Sequence, residues 1–264
     1  MMHYRAQTRK YTQTMLPSQR KKLLMELLRR DGQLVASAVS AEYGVSEDTI
    51  RRDLGDLAQR GLLQRVHGGA LPASPASADF VVRRDIEPGA KNTIAKAAAR
   101  MVRTGQIVLI DGGTTAVQLA RALPRDLKAT VVTHSPSVAV ELIDHAAEVI
   151  ILGGRLFKHS MVSVGAATLE ALAAIRADVF FMGVTGIHPS AGLTTGDHEE
   201  AQIKRAMIRQ AAETVVLAST EKLNTASAYK IADLAAATAV VVQKNAPASA
   251  LLPLARAGIR FIKA

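Results

Sequence analysis

Residues 45–70 read VSEDTIRRDLGDLAQRGLLQRVHGGA, and they carry the clearest structural pattern in the N-terminal part of the chain. Ser46 is a good helix N-cap, because its hydroxyl can accept a hydrogen bond from a free backbone amide of the first turn. Ile50 and Leu54 recur at helical spacing, which indicates an amphipathic helix. We therefore predict a helix over residues 46–59.

Two further helical patterns precede this helix. The first is predicted over residues 18–30, with Ser18 as its N-cap, and the sequence Asp31-Gly32 ends it. The second is predicted over residues 35–43 and ends at Gly44. Two helices joined by a short turn that contains glycine are typical of a helix-turn-helix, whose second helix enters the major groove of DNA.

A short hairpin follows the third helix. Residues 62–66 and the sequence His67-Gly68-Gly69-Ala70 look like two strands around a turn, which is the pattern of a wing. Residues 18–71 are therefore predicted to form a winged helix-turn-helix DNA-binding domain, after a polar leader at residues 1–17.

The predicted recognition helix carries polar side chains on the face opposite its apolar residues. Arginine can bond two atoms of a guanine edge, threonine can contact several bases, and a helix N-terminus can hold a phosphate. The predicted DNA contacts are Ser46, Thr49, Arg51, Arg52, Arg65 and His67. A solvated helix face with internal salt bridges, followed by an ordinary exposed hairpin, is the alternative interpretation.

The composition changes after the hairpin. Residues 71–78 read LPASPASA, which is poor in large apolar side chains, so residues 72–90 are predicted to be an interdomain linker. Residues 91–264 then alternate between strand and helix patterns and are predicted to form a second domain.

Seven continuous apolar runs in this second part suit buried parallel strands. They are residues 107–110, 130–133, 149–152, 179–184, 214–218, 239–242 and 259–262. Alanine-rich helical segments separate most of them, at residues 93–102, 117–123, 137–143, 168–175, 199–212 and 248–257. The alternation predicts an α/β fold with an open, mostly parallel sheet and helices on both faces, which binds ligands at the carboxyl ends of its strands.

Loops rich in glycine and hydroxyl groups follow several of these strands. The sequence Asp111-Gly112-Gly113-Thr114-Thr115 comes directly after the first strand and opens a helix. Glycines let backbone amides approach an anion, and the threonine hydroxyls add donors. A tight turn without a ligand explains any one such loop equally well, but several loops at one sheet edge favour a pocket.

Charged residues near these loops complete the predicted effector site. Arg155, Lys204 and Lys222 are candidate partners of a phosphate, and Asp111 and Glu199 are candidate acceptors of sugar hydroxyl protons, although each also fits an ordinary salt bridge. The whole predicted site is Asp111, Gly112, Gly113, Thr114, Thr115, Ser135, Gly153, Gly154, Arg155, Gly186, Glu199, Lys204 and Lys222.

The composition narrows the class of protein. The net charge is +10, and residues 1–70 hold 12 basic against 7 acidic residues, which favours an anionic partner at that end. There is no cysteine, no apolar run long enough for a membrane span, and a polar start that lacks the apolar core of a secretion signal. We expect a cytoplasmic protein that needs no cofactor and no metal, since its seven histidines lack the spacing of a metal site.

The motifs resemble one family of bacterial regulators. The stretch quoted above, with RKKLLMELLRRDGQLVASAVSAEYG before it, resembles the DNA-binding head of the DeoR family, and TIRRDL and HGGA are its most specific elements. LIDGGTTAVQLARAL, VVTHSPSVAVEL, VIILGGRL, SVGAATLEAL, ADVFFMGVTGI and GLTTGDHEEAQIKRAMI resemble its sensing domain. The resemblance implies a domain related to ribose-5-phosphate isomerase and the CoA transferases, and a phosphorylated sugar as effector. His134 stands where the family commonly has asparagine.

We therefore predict a DNA-binding transcription regulator, a repressor of carbohydrate metabolism genes that acts as a homo-oligomer, either a dimer or a tetramer. Its partners are a double-stranded DNA operator and a small phosphorylated metabolite. The alternative is an enzyme of the sugar-phosphate isomerase or deaminase kind with a fused DNA-binding head. Asp111, Glu199 and His134 are the possible bases for that chemistry, but MGVTGI stands where the isomerases have acidic residues.

Overall fold

The computed structural model describes residues 15–264, which fall into two units, one ending at Ala73 and one spanning Ser74–Ala264. The first fourteen residues of the predicted polar leader lie outside the described part of the chain. In the described part, no helix has both the length and the apolar character needed to cross a membrane.

The first unit is a winged helix-turn-helix, as predicted. Its described elements are α1 (Pro17–Asp31), β1 (Leu34–Val35), α2 (Ala36–Tyr43), α3 (Glu47–Gln59), β2 (Leu63–Val66) and β3 (Gly69–Pro72). The three strands pair antiparallel in the order β1-β3-β2. One apolar cluster, which includes Leu24, Ile50 and Leu54, holds the helices to this small sheet.

The start of α1 differs from the prediction. The helix begins at Pro17 with Leu16 as its N-cap, so the assignment of Ser18 as the cap was wrong. Proline suits the first helical position, because its fixed φ is already helical and its missing amide would have been unpaired there. The side chain of Gln19 accepts a hydrogen bond from the Leu16 amide at 3.2 Å and so takes the capping role.

The wing requires glycine at one position of its last strand. Gly69 lies opposite Val35 in the pairing of β1 with β3, and a Cβ at Gly69 would lie 1.7 Å from the carbonyl oxygen of Leu34. No side chain fits at that distance, so the HGGA sequence is needed for the strands to approach.

The segment predicted as a linker has regular structure and packs on the second unit. It contains a 3₁₀ turn (Pro75–Ser77), α4 (Phe80–Arg84) and the start of α5 (Pro88–Ala99). Ser74 donates a side-chain hydrogen bond to the carbonyl of Thr185, and the amide of Phe80 donates to His159 at 2.8 Å. Ala76 is only 3 % exposed. Small side chains allow this close approach, so a lack of large apolar residues did not mean a lack of packing.

The second unit is built on a parallel sheet of seven strands, which confirms the predicted fold class. The strand order is β15-β14-β12-β9-β4-β5-β6, and every neighbouring pair is parallel. The strands are β4 (Ile107–Ile110), β5 (Thr130–Thr133), β6 (Glu148–Ile151), β9 (Ala177–Gly183), β12 (Ala211–Leu217), β14 (Ala239–Val242) and β15 (Phe261–Lys263). Each of the seven predicted apolar runs overlaps one of them.

Helices cover both faces of this sheet. The described helices are α5, α6 (Thr114–Ala122), α7 (Pro136–Val140), α8 (Ala166–Ala173), α9 (His198–Gln210) and α10 (Ala248–Arg256). Side chains of α5, α6 and α7 pack with Val108 and Ile110 on one face. Side chains of α8, α9 and α10 pack with Leu109 on the other. Burial on both faces explains why the strand sequences are continuously apolar.

Several short strands at the edge of the second unit were not predicted. They are β7 (Arg155–Phe157) and β8 (Val162–Val164), which form a hairpin, and β10 (Gly186–His188), β11 (Gly192–Thr195) and β13 (Tyr229–Ala232), which form a small antiparallel sheet. Three or four residues with mixed polarity give no usable periodicity.

Candidate functional site

A pocket lies at the carboxyl ends of β4, β9 and β12, three neighbouring strands at the centre of the sheet. It is lined by Ala76, Arg83, Ile86, Lys91, Gly112, Gly113, Thr114, Thr115, Ala116, Gly183, Val184, Thr185, Thr195, Glu200, Lys204, Glu221 and Lys222. This edge is where open parallel sheets bind ligands, because the loops that follow the strands meet there.

The loop after β4 brings a helix N-terminus to the pocket. Gly113 has a φ of +103°, which favours glycine, and α6 begins at the next residue. A Cβ at Gly112 would lie 2.1 Å from a methyl group of Val162, so this position has no room for a side chain. The free amides of the first helical turn are donors with partial positive charge, which suits an anion.

Two buried hydroxyl groups in the pocket have no hydrogen-bond partner among the described residues. They are the Oγ1 atoms of Thr115, in the first turn of α6, and of Thr195, at the end of β11. A buried hydroxyl without a partner costs free energy, so such groups are rare unless a ligand or water completes them. Both hydroxyls can therefore form a hydrogen bond with a polar ligand or with water.

Four basic side chains surround the same space. Lys204 and Lys222 were predicted from the sequence, whereas Arg83 on α4 and Lys91 on α5 were not, because both lie in or beside the segment interpreted as a linker. The Nε of Arg83 is buried without a partner, and the ammonium of Lys91 donates to the carbonyl of Arg83.

Burial shifts the pKa of three of these groups. It lowers the pKa of Lys222 to about 8, against the opposing effect of Glu221, and the charges of Lys91, Arg83 and Lys204 lower it further. Burial also lowers the pKa of Lys91 and of Arg83. A bound dianion would stabilise the charged forms of these side chains, because it replaces the lost hydration and offsets the repulsion between the cations.

Asp111 anchors the pocket from below. Its carboxylate is 0 % exposed and accepts hydrogen bonds from His134 at 2.9 Å and from the amide of Gly183 at 2.8 Å, and it forms an ion pair with Lys204. Burial acts to raise the pKa of this carboxyl, but Lys204 and His134 outweigh it and hold the pKa well below its usual range. His134 also bonds to the carbonyl of Ser163 at 2.9 Å, so its ring braces Asp111.

Two carboxylates that the sequence analysis did not select face the pocket. Glu200 accepts from Ser160 at 3.2 Å and lies 3.3 Å from Lys204. One carboxylate oxygen of Glu221 accepts from Ser219 at 2.6 Å, and the other is buried without a partner. The unpartnered oxygen of Glu221 is available to a hydroxyl group of a ligand. Within residues 15–264, no cluster of three acidic, histidine or cysteine side chains could bind a metal.

Seven predicted residues do not line this pocket. Asp111 contacts it only through its ion pair with Lys204, and the other six lie outside it: Ser135, Gly153, Gly154, Arg155, Gly186 and Glu199. Arg155 and Glu199 form an ion pair with each other and are 62 % and 41 % exposed, as the alternative of an ordinary salt bridge describes.

Two of these glycines and the serine have contacts within the fold. A Cβ at Gly154 would lie 2.1 Å from the hydroxyl of Thr168, and one at Gly186 would lie 2.6 Å from the carbonyl of Thr225. Ser135 donates to the carbonyl of Met161 at 3.1 Å. These contacts account for the three positions without a ligand, whereas a Cβ at Gly153 would meet open space.

The helix α3 presents the predicted DNA contacts unequally. Ser46 caps the helix and accepts from the amide of Thr49 at 3.3 Å, as predicted. The guanidinium of Arg51 forms an ion pair with the carboxylate of Glu47, with an N–O distance of 2.6 Å, so the salt-bridge interpretation applies to that side chain. Arg52 is exposed, and no ion pair found among the described residues includes it. Asp53 points inward and pairs with Arg20 on α1.

The predicted wing contacts lie at its surface. Arg65 on β2 and His67 in the turn are both exposed, and the Arg65 guanidinium lies over Gly55 of α3. The wing and α3 therefore present basic side chains from one compact unit.

Comparison with known proteins gives matches over most of the chain. The family models described as DeoR-like helix-turn-helix domain and DeoR C terminal sensor domain match residues 20–76 and 86–244. The HTH-type transcriptional regulator GlpR of Haloferax volcanii is 35% identical over 223 residues, 83% of this chain and 87% of that protein. The glycerol-3-phosphate regulon repressor of Haemophilus influenzae is 31% identical over 221 residues, which are 83% of this chain and 87% of that protein.

A solved structure of ribose 5-phosphate isomerase A from Methanocaldococcus jannaschii aligns with 50% of this chain and 52% of its own. The sequence identity is 18% and the TM-score is 0.38.

Proposed function

Because the chain belongs to the DeoR family of DNA-binding transcription regulators, we propose that it represses genes of carbohydrate metabolism and releases their operator when a phosphorylated sugar binds. A regulator of this kind needs one surface for DNA and one pocket for the effector. The two units supply one each: the winged helix-turn-helix, proposed as residues 18–71, and the α/β unit, proposed as residues 91–264 with the packed segment before it.

The proposed DNA surface consists of α3 and the wing. Arg52, Thr49 and Arg65 read or grip the duplex, while Ser46 and the N-terminus of α3 hold a backbone phosphate. His67 adds a contact at the tip of the wing. Arg51 contributes less, since it must first give up its ion pair with Glu47. The exposure of Arg52 beside this paired neighbour supports the assignment.

One observation carries the effector proposal: buried cations and buried unpartnered hydroxyls converge on a helix N-terminus at the centre of the sheet edge. A phosphate dianion satisfies all three at once. The proposed phosphate ligands are Lys222, Lys91, Arg83, Thr114, Thr115 and the amide of Gly113, while Glu200 and Glu221 accept sugar hydroxyls. The amide of Gly112 already donates to the Asp111 carboxylate at 2.8 Å.

The enzyme alternative lacks a suitable base at Asp111. A general base must exchange protons near neutral pH, whereas the pKa of Asp111 is held well below its usual range and its oxygens are occupied by Lys204, His134 and the Gly183 amide. Glu199 lies outside the pocket in its pair with Arg155. These contacts favour a sensor over a catalyst.

The effector signal follows the chain. Ala76, Arg83 and Lys91 line the pocket and belong to the segment that continues directly from β3 of the wing. A ligand that draws these side chains toward itself changes the conformation of this segment. Because the DNA-binding unit is attached to the same segment, the change can reach that unit. We propose that this coupling lowers operator affinity in a homo-oligomer whose two or more heads bind repeated sites.

Thermal-shift measurements on the full chain test the proposal. Phosphorylated sugars should raise the melting temperature, because a ligand that binds only the native state stabilises it by mass action. The same sugars without phosphate should not. Thr115→Val removes the unpartnered hydroxyl with little change in shape, so the variant should keep its fold and lose the shift. Equal shifts with phosphorylated and unphosphorylated sugars would contradict the proposal, and formation of an isomerised or deaminated product would favour the enzyme instead.

A further inference from the structure

A second, larger cavity adjoins the pocket. Its volume is about 580 Å³, and it shares Thr114 and Lys91 with the pocket at the sheet edge. The pocket itself has a cavity volume of about 20 Å³, which is room for about one water molecule. Small movements of the long lysine side chains can admit a phosphate group there, but a whole phosphorylated sugar does not fit.

One flank of α6 leads from the pocket into the second cavity. Thr114, Gln118 and Arg121 are spaced i, i+4 and i+7, so they lie along one face of the helix, and all three line the cavity. At a rise of 1.5 Å per residue this wall is roughly 10 Å long. A ligand whose phosphate binds at the N-terminus of α6 would therefore run its carbon skeleton along this wall.

The walls have the mixed character that suits a sugar ring. Val117 and Phe80 provide apolar surface, while Gln118 and Ser137 provide donors and acceptors. At the far end Arg121 and Glu141 form a two-pronged ion pair with contacts of 2.7 and 2.6 Å. Sugars bind in this way, with carbon-bound hydrogens on an apolar wall and hydroxyls on polar groups.

Resting on the proposed function, we propose that this cavity holds the organic part of the effector, and that the effector is a phosphate monoester of a sugar of hexose size. A three-carbon skeleton would end near Gln118 and leave the Arg121 end of the cavity empty. A six-carbon skeleton reaches it. The cavity thus sets the size selectivity of the sensor, and the pocket sets its requirement for phosphate.

Calorimetric titration of the full chain tests this assignment. The probes are inorganic phosphate, glycerol 3-phosphate and a panel of hexose monophosphates. We expect the best hexose monophosphate to bind at least tenfold tighter than glycerol 3-phosphate. Gln118→Ala should remove most of that advantage, and Ser137→Trp, which projects a large ring into the cavity where the sugar would lie, should remove all of it. Both variants should bind inorganic phosphate as the wild type does, which also shows that they are folded.

Gln202→Ala is the matched control, since it makes the same change at an exposed position of α9 that lines neither cavity. It should leave every affinity unchanged. The assignment is overturned if glycerol 3-phosphate binds as tightly as the best hexose monophosphate, or if Gln118→Ala and Ser137→Trp leave hexose phosphate binding intact. If no phosphorylated probe binds, the proposed function itself fails.

Discussion

Lys222 shows how a single side chain can prepare a site for an anion. Its ammonium group lies in a buried pocket beside three other cations, and its pKa falls from the usual 10.5 to about 8. Keeping this group charged at neutral pH costs free energy in the absence of a ligand. A bound dianion removes this penalty, so the removal contributes to the free energy of effector binding.

Replacing Lys222 by methionine should therefore stabilise the protein without ligand. The lysine is charged in the folded state only below about pH 8, whereas in the unfolded chain it stays charged up to its ordinary pKa of 10.5. The penalty is thus fully present below pH 8 and disappears as the pH rises to 10.5. We expect Lys222→Met to raise the free energy of unfolding by about 1–3 kcal/mol at pH 7, and by little at pH 10.5.

Chemical denaturation at the two pH values measures this difference. The same variant should lose phosphate binding. A variant that is less stable than the wild type at pH 7 would show that Lys222 is held by contacts within the fold rather than kept for a ligand.

Effector affinity should fall as the pH rises above 8. Binding requires Lys222 to be protonated, and above its pKa of about 8 the empty protein has lost that proton. Affinity should then drop by up to tenfold per pH unit, and binding at pH 8.5 should take up a proton. Calorimetry in two buffers with different heats of ionisation measures the proton uptake. Affinity that stays constant from pH 7 to 9.5 would exclude Lys222 from the phosphate site.

The residues of the site could be predicted where sequence position fixes spatial position. The loop Asp111–Thr115 follows a buried strand directly, so its place at the sheet edge follows from the fold. Lys204 and Lys222 were selected as cations near such loops. Arg83 and Lys91 were not selected because their segment looked like a linker. Arg155 was selected, but it lies outside the pocket in an ion pair with Glu199.

At the scale of the element, α3 separates two adjacent arginines by their local partners. Arg51 forms an ion pair with Glu47 one turn earlier, while Arg52 is exposed and belongs to no ion pair found among the described residues. If Arg52 reads a base edge, Arg52→Ala should cost about 1–3 kcal/mol of binding to the preferred DNA sequence and relax base preference. Arg51→Ala should cost less.

Fluorescence anisotropy with a set of DNA duplexes that differ at single positions measures both variants. A uniform loss on every duplex would identify Arg52 as a phosphate contact. Equal effects of the two substitutions would show that the pair of Arg51 with Glu47 has no influence on DNA recognition.

The elements of the sheet were predictable because the five inner strands are largely buried, and the more exposed edge strands β6 and β15 have apolar sequences as well. All seven apolar runs correspond to strands, with limits that differ by at most a few residues. The short strands β7, β8, β10, β11 and β13 were missed, since pairs of only three or four residues depend on tertiary packing rather than on a sequence period. The packed segment 74–91 was missed because alanine and serine pack closely without an apolar signal.

At the scale of the whole molecule, the edge strand β6 supports the proposed homo-oligomer. Ile150 and Ile151 of β6 are 40 % and 51 % exposed, and on its open side β6 pairs with no other described strand of the sheet. Exposed apolar edges favour association with another chain. We expect the wild type to be a dimer or larger in light scattering, and Ile151→Lys to shift it toward the monomer. Ile107→Lys is the matched control, because Ile107 is an exposed isoleucine at the start of the central strand β4. It should leave the oligomeric state unchanged. A wild type that is monomeric at all concentrations would contradict the homo-oligomer.

A DNA titration of the full chain tests the DNA-binding unit and the effector unit in one measurement. The full chain is titrated onto a DNA fragment from upstream of its own gene, with and without the phosphorylated sugar that binds most tightly. We expect sequence-specific binding that the sugar weakens at least tenfold in the wild type and leaves unchanged in Thr115→Val. Binding that depends only on salt, ignores DNA sequence and does not respond to any phosphorylated sugar would contradict the proposed function.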